Sequence, residues 1–240
     1  MTQPSASAAS LPRVATIATK AGRTETFLKV LPTILAQVEH LFVYLDGYDT
    51  PPRELTGLSQ VSVRRAEQLG NLHASSRFLC LRELARPCIV AVVDDDIAYP
   101  PDYVAYMAGV LDLVGHRAVV GVHGRIFMPP HQSYVNDAAV LHFASAQARP
   151  NHVHELGIGT CAFVSSQLDI DPRRWDRTDM DDIVVALEAQ RRGLPRIAVS
   201  RPAGWLRPYA EEQPDSLWVK AKADDSEQSR RMRALLGLYA

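Results

Sequence analysis

Three aspartates in a row, Asp94, Asp95 and Asp96, follow the apolar run IVAVV at residues 89–93. Carboxylates this close repel. At about 5 Å and an effective dielectric of about 20, each pair costs about 3 kcal/mol before screening. A divalent cation offsets such crowding. In extended chain alternate side chains share a face, so Asp94 and Asp96 can reach one ion or a phosphate bound to it, while Asp95 points elsewhere. Oxygen-only ligation favours Mg²⁺ or Mn²⁺ over zinc. Such ions bind through one or two carboxylates together with substrate phosphates. The plainer alternative has one Asp capping the helix that opens near residue 101 and the others solvated. Three carboxylates at a buried strand end fit it poorly.

A second acidic cluster, Asp179, Asp181 and Asp182, enters a helical stretch. Acids at a helix N-terminus are stabilised by capping and by the helix dipole, which accounts for any one of them without chemistry. The chemical alternative is a general base within hydrogen-bond reach of an attacking hydroxyl. Eight histidines raise a metal question. His152 and His154, spaced i, i+2, could share a strand face, but no second close pair completes a zinc site. The loop Gly157-Ile158-Gly159-Thr160 precedes no clear helix, so it matches a dinucleotide-binding fingerprint poorly.

The elements that must position these groups alternate along the chain. Strands are predicted at 13–19, 41–45, 61–64, 89–93, 118–122, 161–164 and 196–199. Helices are predicted at 24–38, 74–86, 101–114 and 181–192, with Thr24 as an N-cap and Pro32 kinking or dividing the first. Residues 129–152 read as a loop with irregular strands. The order β-α-β-α-β implies an α/β fold whose mainly parallel sheet carries helices on both faces, with antiparallel strands added in the second half. Ligands of such sheets bind at the carboxyl ends of strands. That rule points to Thr19, Asp46 and the triple Asp.

The chain has 240 residues, with 26 Lys plus Arg against 27 Asp plus Glu. The near-zero balance disfavours a dedicated nucleic-acid binder. Three cysteines with no CxxC pair read as buried free thiols of a cytoplasmic protein. The start MTQPSASAAS lacks the regions of a secretory signal, and no run suits a transmembrane helix. Residues 1–12 read as a disordered tail and 211–240 as a polar tail with an amphipathic helix at 226–239. That helix would pack on the domain, contact a second copy in a homodimer, or touch a membrane surface.

The segment VVDDDIAYPPDYV at 92–104 resembles the Asp-x-Asp region of GT-A-fold glycosyltransferases close to family 2. One bacterial subgroup carries a similar Asp-Asp-Asp-Ile-x-Tyr-Pro-x-x-Tyr string. TIATKAGR (16–23), YLDGYD (44–49), GVHGRIF (121–127), VHELGIGTCAF (153–163) and MDDIVVALEAQRRGLP (180–195) extend the resemblance over about residues 13–207. It implies a GT-A domain at 13–210 and inverting transfer of a sugar from a UDP or GDP donor. The acceptor would be a glycan, lipid-linked or protein hydroxyl, in surface glycan synthesis at the inner face of the membrane.

By this resemblance Asp94 and Asp96 handle metal, ribose and diphosphate, with Asp95 beside them at the nucleotide. Asp46 lies near the nucleobase, and Thr19, Lys20 and Arg23 line the nucleotide cleft. Asp182 becomes the general base. Asp181 is the alternative, standing where the subgroup often has a small residue. His123 and His154 fall in matched blocks and would face the cleft. Some relatives give a late histidine to the metal, but no histidine follows His154 here. Trp175 and Trp205 could stack on sugar faces or simply pack in the core. Two rivals remain: a sugar nucleotidyltransferase on a related fold and a non-catalytic nucleotide- or sugar-binding module. The first is weakened by the lack of a Gly-rich basic loop after the first strand.

Overall fold

The computed structural model describes residues 10–70, 72–209 and 217–238. Most of the expected N-terminal tail, and residues 210–216 and 239–240 toward the C-terminus, lie outside the described residues. In chain order the strands are β1 (Arg13–Lys20), β2 (His40–Asp46), β3 (Val61–Arg65), β4 (Ile89–Val93), β5 (Ile97–Ala98), β6 (Val119–Gly121) and β7 (Gly124–Phe127). They continue with β8 (Ala138–Leu141), β9 (Asn151–His152), β10 (Glu155–Leu156), β11 (Thr160–Val164), β12 (Arg196–Ala198) and β13 (Arg207–Pro208). The helices are α1 (Thr24–Leu35), α2 (Tyr103–Leu113), α3 (Asp181–Arg191), α4 (Leu217–Ala223) and α5 (Ser226–Leu235).

The fold is α/β. Eight strands form one mixed, mostly parallel sheet in the order β3-β2-β1-β4-β11-β6-β12-β9. The parallel half, β3 to β4, comes from the first hundred residues. The added strand β11 runs antiparallel between β4 and β6. A small sheet, β10-β7-β8, and the pair β13-β5 complete the strands.

Strand alternation divides the core. Ala15, Ile17, Ala91 and Val93 face α1 and α2 on one side. Val14, Val90, Val92 and Phe163 face Phe78, Leu79 and α3 on the other. β4 is buried on both faces, as its unbroken β-branched run predicts.

Local expectations are corrected in two segments. Residues 74–86 do not form an α-helix; His73–Arg82 winds as 3₁₀ turns. Ser76 Oγ donates to the His73 carbonyl at 2.6 Å, a local bond that competes with regular helix. Thr24 is not the N-cap of α1 but its first residue, and its hydroxyl donates back to the Ala21 carbonyl at 2.8 Å. Pro32 lies inside α1 without dividing it, and the helix ends at Leu35. Phe27, Val30, Leu31 and Ile34 still bury one face against the sheet, which outweighs the backbone hydrogen bond that proline removes.

The amphipathic helix is present as α5. Met232 and Leu235 pack with Met180, Ile183 and Ala186 around α3, so the apolar stripe is covered within the chain. No helix among the described residues is long and apolar enough to cross a membrane. All three cysteines are buried free thiols.

Candidate functional site

A cleft of about 1110 Å³ opens along the carboxyl ends of the central strands. Thr19, Lys20, Arg23, Asp46, Asp94, Asp95, Asp96, Asp181 and Asp182 all line it. Residues separated by up to 163 positions are thus brought to one surface.

The triple Asp departs from the expected alternation. After Val93 the chain leaves β4 and turns at residues 95 and 96 instead of continuing extended, so strand alternation does not apply. Asp95 therefore does not point away. Arg23 Nη1 donates to Asp95 Oδ1 at 3.1 Å and to Asp96 Oδ2 at 3.4 Å. Burial raises the Asp95 carboxyl, and the Thr19 hydroxyl and Arg23 pull the other way. Asp96 is pushed up to about 7 by burial and then by the charges of Asp94 and Asp95, against the pull of Arg23.

Asp94 meets a different cation. Arg77 Nη1 donates to its Oδ1 at 2.7 Å. The other arm of the same guanidinium, Nη2, donates to Asp181 Oδ2 at 3.1 Å. Arg77 is therefore the bridge between the two acidic clusters, and its side chain is only 9% exposed. Burial works against its charge, but the two carboxylates outweigh that and hold the guanidinium protonated. Thr16 of β1 fixes the segment by donating to the Arg77 carbonyl at 2.7 Å.

The second cluster splits into three roles. Asp179 is paired with Arg177 at the rim. Asp181 is an anchor: Ser75 Oγ donates to its Oδ1 at 2.5 Å and Arg77 takes its Oδ2. Burial raises its carboxyl even so. Asp182, the next residue of α3, accepts the Ile158 N–H at 2.9 Å through Oδ1. Burial lifts its pKa to about 6, the Ile158 N–H lowers it, and the Asp181 charge raises it.

The glycine loop at 157–160 connects these parts. A Cβ on Gly159 would lie 1.8 Å from Asp94 Oδ2, so only hydrogen fits beside that carboxylate. Tyr99 Oη donates to the Gly159 carbonyl and accepts the Asp94 N–H, the latter at 2.8 Å. Ile158 holds Asp182, and a Cβ on Gly157 would press on the His123 ring at 3.1 Å. Three consecutive residues thus set the spacing between Asp94, Asp182 and His123.

Asp46 ends β2 with its Oδ2 3.0 Å from His73 Nδ1. His123 lines the cleft, but His154 does not: its Nδ1 accepts the Phe127 N–H at 2.9 Å and its ring stacks on Phe127. His152 ends β9 exposed, so the two histidines share no metal-binding face. Trp175 packs on Phe78, and Trp205 on Tyr103 and Tyr106; neither lines the cleft.

Sequence reasoning missed Ser75, Arg77 and Tyr99. The signal for Arg77 is weak, since an arginine within an apolar segment looks like any surface position until a fold buries it. Also missed was Glu155, completely buried on β10. Tyr134 Oη donates to its Oε1 at 2.5 Å, and Oε2 has no hydrogen-bond partner among the described residues. Burial and then the Asp182 charge push this carboxyl up to about 8.

Among the described residues no group of three or more His, Cys, Asp or Glu is arranged to hold a metal ion by protein ligands alone. Asp94 and Asp96 bring two carboxylates to the cleft, oxygen donors of the kind Mg²⁺ and Mn²⁺ take together with phosphate and water, and each is bonded to a guanidinium, Arg77 and Arg23 respectively. No protein-family model matches the chain, and no curated protein matches it.

Proposed function

We propose that the chain is a metal-dependent inverting glycosyltransferase of GT-A type, moving a sugar from a nucleoside-diphosphate sugar to an acceptor hydroxyl. One observation carries the reading. Two carboxylate clusters about 85 positions apart in sequence share one cleft and are joined through Arg77. A binding module has no need of the second cluster. The mixed, mostly parallel sheet with the site at its strand ends is compatible with the fold.

Asp94 and Asp96 would hold Mn²⁺ or Mg²⁺. The ion would supply Lewis-acid stabilisation of the charge that develops on the diphosphate. Thr19, Lys20 and Arg23 would line the nucleotide end, and Asp46 would accept a base N–H. Asp182 takes the proton of the acceptor hydroxyl as that oxygen bonds to the anomeric carbon. The bond from that carbon to the diphosphate oxygen breaks, and its electron pair leaves with the nucleoside diphosphate. Ile158 orients the base. Asp181, already committed to Ser75 and Arg77, positions rather than reacts. Direct displacement with one base inverts the anomeric centre.

The test is binding followed by product analysis. UDP or GDP should raise the melting temperature in the presence of Mn²⁺ and not in its absence, and Asp96→Ala should abolish the shift. Turnover of the matching nucleotide sugar should release the nucleoside diphosphate. Pyrophosphate would indicate nucleotidyl transfer instead, and equal shifts with and without metal would end the proposal.

A further inference from the structure

The small sheet β10-β7-β8 presents one face to the cleft. In the antiparallel register of β7 and β8, Gly124 lies opposite Leu141 and Arg125 opposite Val140. The residue before β7, His123, therefore falls opposite the residue after β8, His142. Arg125 and Val140, directly opposite, share one side of the sheet, and the rings of His123 and His142, just beyond the strand ends, meet each other. All four line the cleft, with Phe143 beside them.

This patch is aromatic and uncharged apart from Arg125. The His142 ring stacks on Phe143 with centroids 4.4 Å apart and an interplanar angle of 30°. His123 meets His142 edge-on at 5.6 Å. Burial lowers the pKa of both histidines, that of His123 to about 3, which disfavours their charged forms. The Ala144 N–H donates to His142 Nδ1 at 3.3 Å, which places the His142 proton on Nε2 as a donor. Val140 is 44% exposed, an apolar side chain left open beside the rings. The patch also adjoins the candidate base, because Gly157 rests against His123 and the next residue holds Asp182.

We propose that His123, Val140, His142 and Phe143 form the acceptor subsite and that its ligand is a sugar ring, stacked by its carbon-bound hydrogens on the outer face of the His142–Phe143 pair with its exocyclic hydroxyl reaching over the ring edge to His142 Nε2–H. This deepens the glycosyltransferase reading and rests on it for the role of Asp182. A bare Ser or Thr hydroxyl would leave the platform uncovered. A lipid chain would leave the Nε2–H without a partner.

Saturation-transfer NMR with methyl α- and β-glycosides of glucose, galactose and mannose tests this, with Mg²⁺ and UDP or GDP present. Saturation should reach the ring protons of at least one glycoside, concentrated on one sugar face. His142→Ala should weaken that binding by about tenfold, the size of one lost aromatic contact. His142→Phe should keep the stacked face while losing the hydroxyl contact, giving an intermediate affinity. Val140→Ser, at an exposed position, guards against a folding artefact and should also weaken binding.

No saturation of any glycoside overturns the proposal. So does saturation that His142→Ala leaves unchanged, or selective saturation of octanol or of a serine peptide in parallel samples. The two readings fail separately. Metal-dependent nucleotide binding without glycoside binding removes only this subsite. Glycoside binding without any nucleotide binding removes the transferase reading.

Discussion

A carboxylate serves as a base only if it is charged at working pH and still basic enough to accept a proton, and neighbouring groups decide both. Asp181 and Asp182 are adjacent, yet their surroundings differ. Asp181 is saturated by Ser75 and Arg77, whereas Asp182 faces the cleft with a pKa lifted to about 6. Transfer should therefore rise with pH through about 6 and level off above it, in a profile of kcat/KM. Asp182→Asn should lower turnover by about a thousandfold while leaving nucleotide binding intact. Unchanged turnover, or the same loss of nucleotide binding, would remove Asp182 from its role.

Glu155 makes a separate prediction about stability. Its folded value of about 8 stands above the ordinary 4.5, so the folded chain holds this proton more tightly than the unfolded chain. The resulting stability is complete below pH 4.5 and is lost as pH rises through 8. Melting temperatures of Glu155→Gln should decline less between pH 5 and pH 8 than those of the parent. Parallel curves would mean that Glu155 is ionised in the folded state.

At the scale of elements, the C-terminal helix holds the cleft wall. Asp225 stands at the cap position of α5, but its side chain makes no cap hydrogen bond to that helix's backbone. It accepts the Ser133 hydroxyl at 2.6 Å and the Val135 N–H at 2.8 Å, on the stretch between β7 and β8. Ser229 of α5 adds a bond from the Tyr134 N–H at 2.8 Å. Tyr134 lines the cleft and donates to Glu155, so α5 fixes residues that its sequence gives no hint of serving. Asp225→Ala should cost about 2 kcal/mol, as a partly buried charged acceptor of several hydrogen bonds. In a chain of this size that is a drop of about 4–8 °C in melting temperature by calorimetry. A change within about 1 °C would show that the contact contributes nothing to stability.

For the whole molecule, the decisive feature is the shared sheet. Its two faces carry separate clusters, one with α1 and α2 and one with the 73–82 segment and α3, and β1, β2 and β4 each belong to both. Neither face can unfold and leave the other a complete wall. Trp205 reports on the first cluster and Trp175 on the second. Urea melts of Trp175→Phe and Trp205→Phe, each made in a Trp218→Phe background and followed by the single remaining tryptophan, should show a single transition and the same dependence on denaturant. Distinct slopes or two steps would mean that the faces melt independently.

The chain's own residues determined the parallel half of this sheet, because continuous β-branched runs and alternating helical faces are local patterns with one economical arrangement. They also marked both acidic clusters, since like charges placed together are visible without coordinates. Tertiary structure alone decided how the charges divide: that Arg77 joins Asp94 to Asp181, that Asp95 turns into the cleft, that Gly159 must lack a side chain, and that His142 rather than a tryptophan lines the site. Each of these depends on contacts between segments far apart in sequence. Burial, which sets both the ionisation and the partners of a charged group, is a property of the assembled layers and not of any neighbouring residues.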